Sequence, residues 1–102
     1  MKARELKKLT KKIESLYWNI TDEGETLFLS QYSPLGEDFG FSVDKDNIIQ
    51  EIKNYAYSFD YEEHASLYID MRGTRGVPNS IQDLLDDAQD IKNMLLELAN
   101  NL

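Results

Sequence analysis

Leu6, Leu9, Ile13 and Leu16 recur at 3-4-3 spacing, which places them on one face of a helix. Lys2, Lys7, Lys8, Lys11 and Lys12 fall largely off that face, and Tyr17, Trp18 and Ile20 carry the apolar character further. The pattern predicts a helix to about Trp18, with a short strand at 17–20 as the alternative. The stretch TDEGE at 21–25 reads as a turn. TLFLSQY at 26–32 then has strand composition and length, and FGFSVD at 39–44 alternates strictly, with Phe39, Phe41 and Val43 facing one way. Between them, SPLG at 33–36 has Ser, Pro and Gly where a type I turn prefers them. An antiparallel hairpin with one buried face is expected. Two strands are marginal alone, so helices must cover that face.

The period changes to helical again at 46–59, where Ile48, Ile52, Tyr55 and Phe59 share a face with Ile49 and Ala56 beside them. Asp60 is placed to end that helix and cap the next, with Glu63 three residues on in a capping-box arrangement. The next helix is expected to run to about Arg72 on an inner stripe of Tyr61, Ala65, Tyr68 and Ile69, with Gly73 and Gly76 breaking it. The final helix has the clearest signal. Pro78 precedes it, and either Asn79 with Gln82 or Ser80 with Asp83 can cap it. Ile81, Leu84, Leu85, Ala88, Ile91, Leu95 and Leu98 form its stripe, nearly heptad in spacing. The first helix, or a second copy in a homodimer, is its expected mate. The fold class is α+β: N-terminal helix, antiparallel β-hairpin, two mid-chain helices and a long C-terminal amphipathic helix, in one domain over 1–102.

Charge changes the picture. Residues 1–12 hold six basic side chains and one acidic, a net of +5; residues 13–102 hold five basic and eighteen acidic, a net of −13, which together give −8. Such a body repels nucleic acid and anionic membranes and attracts basic surfaces. Direct nucleic-acid binding is therefore disfavoured, although the basic first helix can touch phosphates locally. No apolar run approaches the ~18 residues of a spanning helix. No apolar stretch of signal-peptide length follows the basic start. There is no cysteine. A cytoplasmic protein is expected.

Candidate chemistry is sparse. His64 is the one histidine, and its sequence neighbours Glu62 and Ser66 do not face it on a helix. An ordinary exposed or half-buried histidine is the expectation. DKDN at 44–47 starts like a calcium loop but puts Ile48 and Ile49 where an oxygen ligand and a glycine are needed. No phosphate-binding glycine loop occurs, and no metal, cofactor or catalytic residue is expected.

The aspartates remain. Asp83, Asp86, Asp87 and Asp90 span an arc of about 100° beside the apolar stripe of the last helix. Lys92 is the only basic residue after Arg75, and residues 22–70 hold twelve acids against two lysines. The plain expectation is a solvated face next to a buried one; the alternative is that the acidity, which destabilises a fold by self-repulsion, is kept because it imitates phosphates. Asp60, Glu62 and Glu63, and Glu37 with Asp38, are further acidic candidates for contacting a partner.

The segment Gly73-Thr-Arg-Gly-Val-Pro-Asn-Ser-Ile-Gln82 resembles one in ArdA-type antirestriction proteins, which also place Gly before Val-Pro-x-Ser, an aliphatic residue and Gln in an acidic context. The whole chain is more loosely similar to small acidic phage and mobile-element proteins, anti-CRISPR proteins among them. The resemblance implies a non-enzymatic inhibitor that imitates nucleic acid and binds the basic nucleic-acid-binding surface of a host-defence enzyme. The competing expectation is a structural interaction or oligomerisation module, or an antitoxin-like partner protein, whose acidity is incidental.

Overall fold

The computed structural model describes residues 2–75 and 80–102, the side chains of 71–75 excepted. Four α-helices and a three-stranded sheet follow one another: α1 (Ala3–Ser15), β1 (Asn19–Asp22), β2 (Thr26–Tyr32), β3 (Asp38–Asp44), α2 (Ile48–Ser58), α3 (Tyr61–Arg75) and α4 (Ile81–Asn100), with a 3-10 turn at Lys45–Asn47 leading into α2. The expected α+β class and order of elements are observed. No helix of the described residues is long and apolar enough to cross a membrane.

The sheet is an antiparallel meander, β1-β2-β3. Alternation sends Leu27, Leu29, Phe39, Phe41 and Val43 to one face, where all are buried. On the other face Phe28 lies over Gly40, whose missing Cβ makes room for the ring.

The third strand was not the favoured reading of 17–20, and its cause is a sharp exit from α1. The helix ends at Ser15 and Tyr17 takes a left-handed φ of 72°. That turn drops Trp18 into the core, edge-on to Phe41 at 5.8 Å. Gln31 of β2 supports the exit by donating from Nε2 to the carbonyls of Leu16 (3.2 Å) and Tyr17 (2.7 Å), which the helix end leaves unpaired.

The core joins the inner sheet face to Ile13 of α1, Ile48, Ile52 and Ala56 of α2, and Ile91, Leu95, Leu98 and Ala99 of α4. The expected stripes of α1, α2 and α4 are the ones that turn inward, but the expected pairing of α4 differs. Its main helical neighbours are α3 and α2 rather than α1. Ile91, Leu95 and Leu98 share one buried cluster with the sheet and α2, and α3 packs along α4 as well. Ile81, at the outer end, is 48% exposed. Lys92 is directed off the helix to the end of α2, where its ammonium donates to the carbonyls of Ala56, Tyr57 and Phe59 at 2.6–3.2 Å.

The helix starts follow their caps. Asp60 Oδ1 accepts from the N–H groups of Glu62 and Glu63, and Ser80 Oγ accepts from the Asp83 N–H at 3.1 Å. Helix α3 continues through Gly73 to Arg75, past its expected end, because one glycine costs a helix only about 1 kcal/mol. The expected break at Gly76, the Pro78 and Asn79 start signals and residues 76–79 of the antirestriction-like segment lie outside the described residues.

Candidate functional site

The β2–β3 connection builds the site. The Gly36 N–H donates to the Ser33 carbonyl at 2.8 Å, and Gly36 sits at φ 91°, the left-handed position that follows a tight turn. The Ser33 N–H donates to the Glu37 carbonyl at 2.9 Å, which closes the hairpin. The expected turn is therefore formed, and it presents Leu35 and Glu37 towards α3 and α4.

Asp87 of α4 reaches into this turn. Its Oδ2 accepts from the Ser33 hydroxyl at 2.7 Å and its Oδ1 from the Leu35 N–H at 3.0 Å. The Ser33 oxygen in turn accepts from the Glu37 N–H at 3.0 Å. Asp87 is only 7% exposed and Ser33 5%. This corrects the placement of Asp87 on the solvated face. At about 100° per residue it lies only ~20° round the helix from Leu98, at the edge of the arc nearest the core. The β2–β3 turn then covers that edge. A carboxylate there is tolerated because both oxygens are hydrogen-bonded.

Glu37 meets the histidine. The Nε2–H of His64 donates to Glu37 Oε2 at 2.8 Å, with Oε1 at 3.0 Å, and both side chains are more than four-fifths buried. The His64 ring is edged by Phe39, Phe59 and Tyr68, with centroids 5.3–5.7 Å away. His64 is thus partly buried rather than exposed, with its side chain largely covered, and its partner lies 27 residues away rather than among its neighbours. The Tyr68 hydroxyl is pushed up to about 12 by burial first, then by its hydrogen bond to Glu37 and the charges of Glu37 and Asp87. Burial and the Glu37 charge also raise Tyr55. Both phenols therefore sit in a negative field.

Together these groups line a cleft of about 400 Å³ between the turn, α3 and α4. Leu35, Ala65, Leu84 and Ala88 form its apolar walls, and Glu37, Asp38, His64, Tyr68 and Asp87 its polar ones. A shallower groove adjoins it across Leu35 and Asp87, lined by Pro34, Asp83, Asp86 and Asp90. Six of the nine acidic candidates therefore converge on one region: Glu37, Asp38 and Asp87 at the cleft, and Asp83, Asp86 and Asp90 beside it. Asp60, Glu62 and Glu63 line neither depression; they lie exposed at the start of α3, where Asp60 serves as its cap.

Ser33, His64 and Tyr68 were not among the sequence candidates. His64 and Tyr68 stand four apart on α3, which puts them on one face, and this spacing was the available signal. Nothing in the sequence pairs either with Glu37. Among the described residues the histidine–carboxylate pair has no nucleophile against it, and the Ser33 hydroxyl is turned to Asp87. Among the described residues no group of three or more His, Cys, Asp or Glu is arranged to hold a metal ion.

No family model, curated protein or solved structure matches the chain.

Proposed function

We propose that this chain is a non-enzymatic acidic protein that binds the basic nucleic-acid-binding surface of a nucleic-acid-handling enzyme and inhibits it by imitating nucleic acid, as anti-restriction and anti-CRISPR proteins do. The observation that supports this is a band of carboxylates with no cation paired to them among the described residues. Asp83, Asp86 and Asp90 are exposed along α4, and Asp38 is exposed across the turn from them. Among the described residues the lysine–carboxylate ion pair is Lys45 with Asp22, and the other carboxylate contact to a basic side chain is the hydrogen bond of His64 to Glu37. The one lysine of α4 caps α2 instead of neutralising its neighbours. Along the helix axis the three exposed aspartates are spaced by ~4.5 and ~6 Å. This is of the same order as the ~3.4 Å between charges along one strand of a DNA duplex.

The test is DNA cleavage by purified restriction endonucleases and CRISPR effector complexes with the protein added. Inhibition of one of them, relieved by salt and by excess non-substrate DNA, is the expected outcome. The combined change Asp83→Asn, Asp86→Asn and Asp90→Asn keeps side-chain size, and circular dichroism checks that helicity survives. It should weaken inhibition at least tenfold. An unchanged inhibition constant at low salt would refute the mimicry.

A further inference from the structure

We infer that the cleft between the β2–β3 turn, α3 and α4 is a receptacle for a guanidinium group, filled by an arginine side chain of the partner. The inference rests on the partner-binding reading above and adds to it a point of attachment. The outer aspartates of α4 offer a field without a shape, whereas the cleft offers both.

Three features select this ligand. The first is shape: a cleft of about 400 Å³ is at the small end of ligand sites, suited to one long side chain. The second is the division of its lining. Leu35, Ala65, Leu84 and Ala88 suit an aliphatic stem, and Glu37, Asp38 and Asp87 gather at its polar side. Tyr68 adds an aromatic wall on which a planar cation can stack. The third is unused acceptor capacity. Each carboxylate oxygen can accept about two hydrogen bonds. Among the described residues Asp87 receives one bond on each oxygen, and Glu37 shares the single Nε2–H of His64 between its two and also accepts from the Tyr68 hydroxyl, which leaves acceptor sites open on both carboxylates. A guanidinium brings five donors in a fixed planar fork, which matches several carboxylates seen from one side better than an ammonium does. Tyr68, whose acidity is lowered by burial first, is lowered further by its bond to Glu37 and by the charges of Glu37 and Asp87, which face the same cleft. The ligand enters a frame already fixed by the hairpin turn and by the Asp87–Ser33 and His64–Glu37 bonds, so little ordering accompanies binding.

The test uses N-acetyl-arginine amide as probe, with the neutral isostere N-acetyl-citrulline amide as control, followed by two-dimensional NMR. His64 is the only histidine, so its imidazole signals report on the cleft without ambiguity. The arginine probe should shift the His64 ring and the Leu35, Ala65 and Ala88 amides saturably, with a Kd of about 1 mM, while the citrulline probe leaves them in place. Glu37→Gln should weaken binding about tenfold or more, as loss of a charged hydrogen-bond acceptor does. Because Glu37 also holds His64, Asp38→Asn is the second variant. Asp38 is exposed, so its change leaves the fold intact and should weaken binding about two- to fivefold. Equal binding of citrulline, or arginine affinity unchanged in both variants, would overturn the inference. So would shifts confined to Asp83, Asp86 and Asp90 without saturation, but that result would leave the acidic-surface reading standing. Conversely, a cleft that binds arginine in a protein that inhibits no nuclease would refute only the mimicry.

Discussion

Asp87→Asn separates the buried carboxylate from the exposed ones. The substitution keeps the shape of the side chain and removes its charge and one acceptor. The remaining oxygen can serve the Leu35 N–H, which now sits 3.0 Å from Oδ1. The new amide nitrogen then faces the Ser33 oxygen, which already accepts from the Glu37 N–H. The Ser33 hydroxyl proton loses its acceptor in a site where the residue is 5% exposed. A charged hydrogen bond contributes ~1.5–3 kcal/mol and a stranded buried donor costs ~1–3 kcal/mol. Relief of the desolvated charge offsets part of this. The net destabilisation should be about 1–2.5 kcal/mol, which lowers a urea midpoint by about 1 M at the m-value of a small domain. Asp86→Asn and Asp90→Asn are the controls: the same chemistry on the same helix, but exposed. Each should stay within about 0.5 kcal/mol of the parent. Ser33→Ala combined with Asp87→Asn should be clearly non-additive, because the two side chains bond each other. The reasoning fails if Asp87→Asn moves the midpoint no further than Asp90→Asn does, or if the double mutant is the sum of the singles.

Three further outcomes are expected. Tyr17→Gly should raise stability by up to about 1 kcal/mol, since the left-handed φ of 72° costs a side chain ~1–2 kcal/mol that glycine avoids, less the added freedom of the unfolded chain; a lowered melting temperature would contradict this. Leu95→Glu places a carboxylate at a fully buried position between α4 and its neighbours and should unfold the chain, read as loss of the cooperative transition, whereas a folded monomer would mean the stripe serves a dimer. Tyr68 is held up to about 12 in the fold against an ordinary ~10, so the folded state keeps a proton that the unfolded state loses. Its contribution is therefore complete below pH 10 and is lost as pH rises from about 10 to 12; alkaline denaturation of Tyr68→Phe should be correspondingly shallower over that window, and an identical profile would refute the assignment.

Local rules account for much of this protein. The 3-4 spacing of α1, α2 and α4, the alternation of β3, the Ser33–Gly36 turn and the Asp60 and Ser80 caps are all consequences of neighbouring residues, and each is observed. They were legible because helix faces, strand faces and caps are set within a few residues of sequence. The acidic excess was legible too, as a sum. What tertiary structure alone decided is which carboxylate is wet. Asp83, Asp86, Asp87 and Asp90 share one arc of a helical wheel, yet a hairpin turn from 54 residues away covers Asp87 and leaves the others exposed. The same turn carries Glu37 to His64, 27 residues distant, and so makes the cleft. Helical period gives a side chain its azimuth, but burial depends on what packs over that azimuth, and that is set by the long-range arrangement of sheet on helices.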